Sequence, residues 1–268
     1  MSSPDEPTAT RSVAISPHRE RDFVLKYGVP LRGGLGGGSQ RRRTPVPDQT
    51  AAPRPDVTDM CAVHGVFRDT LGSTPRLVGD CAPGDVERVA LIVNYYENIL
   101  SFLESHHDAE EQLVFPLLRQ RCPGQAALID LMAEQHREAV RLLEEAQNLL
   151  QAWPTGDAAA QRAAQDGLEA LHAQLVDHLD QEEEKVLPLA AEHLSAEEWG
   201  ALPGHGMANF HGDKIWLILG LIRERMNEEQ KAAMLAHMPP PALDMWTGFG
   251  EQAFADYSAE VVVEVGSR

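Results

Sequence analysis

From about residue 57 the inward-type positions recur every three to four residues. Val63, Val66, Phe67, Thr70 and Leu71 form one run; Val89, Ile92, Val93, Tyr96, Ile99, Leu100 and Leu103 form the next. That period marks one face of an α-helix, and no stretch longer than a few residues alternates as a strand does. Pro83-Gly84, Pro123-Gly124 and the stretch Pro154 to Gly156 interrupt the pattern, and Asp157 can cap the helix after the last of these breaks. The spacing therefore predicts four helices, over about 57–74, 84–120, 125–152 and 158–192. Their connections are short, which places consecutive helices antiparallel. The predicted fold is all-α, an up-down-up-down four-helix bundle over 56–193.

A different pattern begins after His193. Ser195-x-x-Glu198 has the spacing of a capping box, and Pro203-Gly204 reads as a breaker, leaving His205 and His211 beside a glycine-rich turn with structural roles. Ile215 to Ile222 is apolar on nearly every face and must be buried. Asn227 can cap a further helix, Pro239 to Pro241 stop it, and Ala242 to Val262 form a last helix carrying Trp246, Phe249, Phe254 and Tyr257. Residues 194–268 are thus a C-terminal helical extension, packed against the bundle or against a second copy of the chain as a homodimer.

Composition separates a third zone. Residues 1–55 hold eight of the 18 prolines, the glycine run from Gly33 to Gly38, and Arg41 to Arg43. Such a stretch buries too little apolar surface to offset its ordering entropy, so it reads as a disordered tail; its one apolar island, Phe23 to Leu31, is a loose linker or a docking segment. Nine basic against six acidic side chains give residues 1–56 a charge of +3, so residues 57–268 hold −21 of a total of −18. A polyanion repels phosphate backbones, which excludes nucleic acid as a partner by simple charge neutralisation. No apolar run reaches the ~18 residues of a membrane span, and the N-terminus lacks the apolar region of a secretory signal. A cytoplasmic location is expected. Cys61, Cys81 and Cys122 form no CxxC pair, so neither a disulfide framework nor a cysteine zinc site is predicted.

The chemistry lies in an internal repeat. Ser105 to Leu118, SHHDAEEQLVFPLL, matches Asp177 to Ala190, DHLDQEEEKVLPLA, at an offset of 72 that also carries His64 to His136 and Met60 to Met132. Generic amphipathic helices would share leucines under such a shift; here the rare histidines superpose. Six positions stand out: His64, His106, Glu110, His136, His178 and Glu182. Residues i and i+4 differ by about 40° around a helix and about 6 Å along it, so each His-x-x-x-Glu pair puts an imidazole and a carboxylate on one face. Four imidazoles and two carboxylates make a poor unpaired core, because each lone buried carboxylate costs several kcal/mol. A pair of divalent or trivalent cations would remove that cost, with the glutamates bridging. Pro116 and Pro188 end or kink their helices past the glutamates, or shape the end of the bundle. His107 lies about 100° around the helix from His106, so the two do not share one metal, and His107 is expected at the surface or behind the ligands. Glu111 and Glu183 face outward or hydrogen-bond to ligands. Glu104 and His107 form a single Glu-x-x-His whose repeat position holds Val176, which rules it out as a second carboxylate motif. Tyr95, Tyr96 and His172 pack in the core or line an access path.

These segments, with His64 and His136, resemble the hemerythrin-like, or HHE cation-binding, domains over about residues 57–192, in the subset with the pattern H-HxxxE-H-HxxxE. The resemblance implies a four-helix bundle holding two irons with an oxo or hydroxo bridge, liganded by His64, His106, Glu110, His136, His178 and Glu182. It implies a small-molecule ligand such as dioxygen, peroxide or nitric oxide. One departure matters: oxygen carriers have a second histidine four residues along the third helix, and here that position is Val140. Four histidines, two bridging carboxylates and the bridge leave about two positions open on a six-coordinate pair. A more open centre favours sensing, peroxide or nitric oxide chemistry, or iron handling over reversible carriage. The alternative is a regulatory or interaction module in which iron and oxygen set the stability of the bundle.

Overall fold

The computed structural model describes residues 53–262, and every regular element among them is helical. The expectations for residues 1–52, the disordered tail and its apolar island, lie outside the described residues. α1 spans Thr58–Gly72. α2 runs from Val86–Ala109 through a π-helical turn, Glu110–Val114, into Phe115–Arg121. α3 is Ala126–Ala152, and α4 repeats the plan of α2: Ala158–Gln181, a π-helical turn at Glu182–Val186, then Leu187–His193. Asp85 and Asp157 cap α2 and α4, their carboxylates accepting N–H bonds from Arg88 and from Ala159 and Ala160. Both side chains satisfy donors that a helix start leaves without partners.

Pro116 and Pro188 neither end nor break their helices. The Phe115 N–H reaches back five residues to the Glu110 carbonyl, and the Leu187 N–H reaches the Glu182 carbonyl in the same way. The wider turn absorbs the missing donor, and each proline then stands in the first turn of the next helical run, where no intrahelical N–H bond is required. The same rule corrects the reading of Pro203-Gly204 as a breaker. Pro203 lies in the first turn of a helix, Leu202–Asn209, which also contains His205.

That helix is α6. It follows the single turn α5, Ala196–Trp199, whose capping box between Ser195 and Glu198 is formed as expected. α7 is Ile215–Glu224 and α8 is Glu228–His237, opened by the Asn227–Gln230 capping box. α9 runs from Pro240–Met245 through a π-helical turn, Trp246–Gly250, to Glu251–Val262. Gly220 lets α7 and α9 approach closely: a Cβ there would stand 2.2 Å from the Phe254 ring.

The apolar core falls into two clusters. One holds Phe67, Leu103, Leu143, Leu175 and Leu179, joined by Leu217, Ile218, Leu221 and Ile222 of α7. The other holds Met60, Val114, Phe115, Ile129, Met132 and Val186. Along each of the four bundle helices, the buried histidines and glutamates fall between residues of the first cluster and residues of the second. The polar layer is a slice across the bundle, closed above and below by hydrocarbon.

Candidate metal centre

All six residues singled out by the repeat converge in this layer, each no more than 6% exposed. Each glutamate begins a π-helical turn and faces two imidazoles. Glu110 lies with Oε1 3.4 Å from His106 Nε2 and Oε2 3.4 Å from His136 Nε2. Glu182 Oε2 lies 3.6 Å from His178 Nε2 and 3.5 Å from His64 Nε2. Every carboxylate thus meets the histidine four residues before it and the lone histidine of the other half. The sequence offset of 72 becomes a pseudo-two-fold axis through the layer.

The outer ring nitrogens show the same symmetry. His64 Nδ1 donates to Glu183 Oε1 at 2.8 Å and His136 Nδ1 donates to Glu111 Oε1 at 3.3 Å, so the expected hydrogen-bonding glutamates each serve the opposite half. His178 Nδ1 donates to Gln135 Oε1 at 3.0 Å. A proton held on Nδ1 leaves the Nε2 lone pair free and aimed inward. The symmetry breaks at Arg68, which donates to Glu183 at 2.7 Å and to Asp180 at 2.7 Å. Its repeat position is Val140, and no arginine side chain hydrogen-bonds to Glu111 among the described residues. The His64 bond draws the Glu183 carboxyl down to about 2, with Arg68 adding to it against the cost of burial.

His107 is not at the surface, one of the two places expected for it. It is 4% exposed and stacks on His136 with ring centroids 4.1 Å apart, edge-on to His178 at 5.4 Å. It lies about 100° around α2 from His106, but both residues fit at the two margins of the arc that α2 turns inward, an arc that spans at least ~100° in a packed helix. The sequence did contain the signal. The repeat position of His107 is Leu179, fully buried, so position 107 is itself an inward position. Ligand-type atoms now form two groups, each lying within 4.8 Å: His64, His106, Glu110 and Glu182, and beside them His107, His136 and His178.

Burial disfavours the charged form of three of these rings. It drives His106 and His107 well below the ordinary histidine range, with the neighbouring imidazoles adding to the shift, and takes His178 down to about 4 although Glu182 opposes it. Burial and the facing Glu182 carboxylate push Glu110 strongly upward. Nε2 of His64, His106 and His107, both carboxylate oxygens of Glu110, and Glu182 Oε2 are buried with no hydrogen-bond partner. His136 Nε2 and His178 Nε2 face each other at 3.1 Å. Orphaned polar atoms cost about 1–3 kcal/mol each, so a convergent set of them fits a cation and fits little else. Neutral imidazole and carboxylate are the donors that iron, zinc, copper or nickel accept.

The other side chains singled out in the sequence lie elsewhere. Tyr95 and Tyr96 belong to the packed core, Tyr96 bonding the Thr70 carbonyl and Thr74 Oγ1, and the His172 ring lies over Gly72, where a Cβ would stand 3.4 Å from it. Glu104 is exposed. His205 Nε2 bonds Asp108 at 2.7 Å. No helix among the described residues is long and apolar enough to cross a membrane.

The family model described as the hemerythrin HHE cation binding domain matches residues 57–190, half of the chain. No curated protein and no solved structure matches it. With the bundle, the paired His-x-x-x-Glu turns and the family match in agreement, the chain belongs to the hemerythrin HHE cation-binding family.

Proposed function

We propose that this protein holds two irons between His64, His106, Glu110 and Glu182 on one side and His107, His136 and His178 on the other, and that it binds, senses or reacts with dioxygen or a related small oxidant. One observation carries the reading: six buried ligand-type atoms on three helices converge without a hydrogen-bond partner. Iron would supply the electrons that such a ligand accepts. The residues do the rest. Glu110 and Glu182 each reach one imidazole from either half, which suits a bridging role and would tie the two halves together through the metals. Glu183, Glu111 and Gln135 keep the Nδ1 protons in place and the Nε2 lone pairs inward. The hydrocarbon clusters above and below keep water from the layer, which raises the affinity of a cation for the carboxylates. With His107 as a fifth imidazole, about one position of a six-coordinate pair stays open to a small ligand, where the six-residue set leaves about two.

Aerobic purification with metal analysis and a visible spectrum tests this. The expected result is about two irons per chain with a visible absorption band that His178→Ala abolishes. A colourless, metal-free protein of equal stability would sink the reading, and stoichiometric zinc would reduce the centre to a structural ion.

A further inference from the structure

The seven candidate ligands divide unevenly between the halves of the bundle. His64, His106, His107 and Glu110 come from α1 and α2; His136, His178 and Glu182 come from α3 and α4. In the second half α3 and α4 pack on each other along their length. By the repeat, α1 and α2 ought to pack in the same way. They touch each other only slightly, α1 leaning on α4 instead, and α7 lies against both of them. Its Leu217, Ile218, Leu221 and Ile222 enter the core cluster that contains Val66, Phe67 and Leu103.

Polar contacts sharpen the asymmetry. Trp199 Nε1 donates to Asp59 at 3.1 Å and the Arg225 guanidinium donates to Asp69 at 2.7 and 3.0 Å, so α1 is held on both sides of His64. On α2 the Lys214 N–H donates to Asn98 and the His211 N–H to Ser101 Oγ, both at 2.8 Å, one to two turns before His106. Arg225 also runs directly over the residue after His64: a Cβ on Gly65 would stand 3.0 Å from Arg225 Cδ. Among the described residues, no side-chain hydrogen bond joins the segment 195–262 to α3 or α4.

We infer that residues 195–262 are a clasp whose docking on α1 and α2 is coupled to occupancy of the metal centre, an inference that rests on the metal reading above. α1 and α2 lack a strong interface of their own, so beyond the shared core and the Arg68 bonds to α4, two things help hold them against α3–α4 in register: the clasp from outside and the cations from inside. Removing the cations leaves the unpartnered Nε2 atoms and the Glu110 and Glu182 carboxylates gathered within 4.8 Å, and moving α1 and α2 outward relieves that cost. Movement of α1 and α2 displaces the surface on which the clasp sits. Binding free energies are reciprocal, so whatever factor metal adds to docking, docking must add to metal affinity.

The test uses the full chain, stripped with a chelator at neutral pH and reloaded with zinc as a redox-inert probe, with hydrogen exchange measured in both states. Stripping is expected to speed exchange in α5 to α9 and in α1 by about tenfold or more, with a smaller change in α3, within the ordinary range of such couplings. Arg225→Gln and Trp199→Phe, which remove a tether and keep the packing, are expected to raise the zinc dissociation constant, whereas Arg141→Gln on the exposed face of α3 leaves it unchanged. Zinc binding with equal exchange of the clasp in both states, or tether variants with unaltered zinc affinity, overturns the inference while leaving the metal centre standing. Failure of the stripped protein to take up zinc or iron overturns the metal reading itself.

Discussion

His106 and His107 are adjacent in the chain, yet they face different groups of ligands, because one residue turns a helix by about 100°. Each ring therefore reports on its own position. His107→Ala is expected to weaken zinc binding in a titration of stripped protein, and His172→Ala, outside the layer, to leave it unchanged. Glu183 acts at one remove, through His64 and under the hold of Arg68. Partners of this kind typically contribute about 10–100-fold in metal affinity, so Glu183→Gln should weaken zinc on the order of tenfold, while the exposed Glu184→Gln should not. A different carboxylate sets an acid limit. Glu198, bonded to Arg121 and to the Ser195 N–H, is drawn down to about 2 from an ordinary 4.5. A depressed carboxyl stabilises the fold above its unfolded value and loses that contribution as pH falls toward its folded value. The melting-temperature gap between wild type and Glu198→Gln should therefore be constant above about pH 4.5 and close between about pH 4.5 and 2; a gap that widens in acid would contradict the assignment.

At the scale of elements, the π-helical turns explain why a helix can carry a buried candidate-ligand glutamate and, six residues later, a proline without ending. The extra residue in the turn relieves the proline and sets the side chains after it on a new register, so the segments Phe115–Arg121 and Leu187–His193 still bury Phe115, Leu118, Leu187 and Ala190. Caps and apolar periods were readable from residue types alone, since Asp157, Ser195 and Asn227 act on donors within three residues of themselves. The π turns were not, because proline in a helical pattern is equally consistent with an ending. Where α7 crosses α9, glycine is required by contact. Gly220→Ala would drive a methyl into the Phe254 ring and should destabilise by about 1–3 kcal/mol or more in thermal melts; Phe254→Leu in the same background should recover part of the loss.

For the whole molecule, cation binding and folding are one equilibrium. Metal held by four helices exists only in the folded chain, so at free metal about 100 times the dissociation constant the protein should gain about 2.7 kcal/mol over its stripped form, read as a rise in melting temperature. No rise on reloading would count against a centre built into the core. The acidic balance of residues 57–268 is mostly a solvated surface, and among the described residues Glu110 and Glu182 are the carboxylates the fold removes from it. The sequence alone determined the helical class, the bundle, the repeat and six residues of the layer, because periodicity, caps and superposed histidines are local signals that survive without coordinates. Tertiary structure decided the rest. The repeat pointed to an inward His107, but how it meets His136 and His178 was set by the packing of α2 among the other helices, and whether α1 packed mainly on α2 or on α4 and α7 depended on competition between apolar faces far apart in the chain. Neither outcome is encoded at any single position. Both depend on which surfaces meet when the whole chain closes on its core.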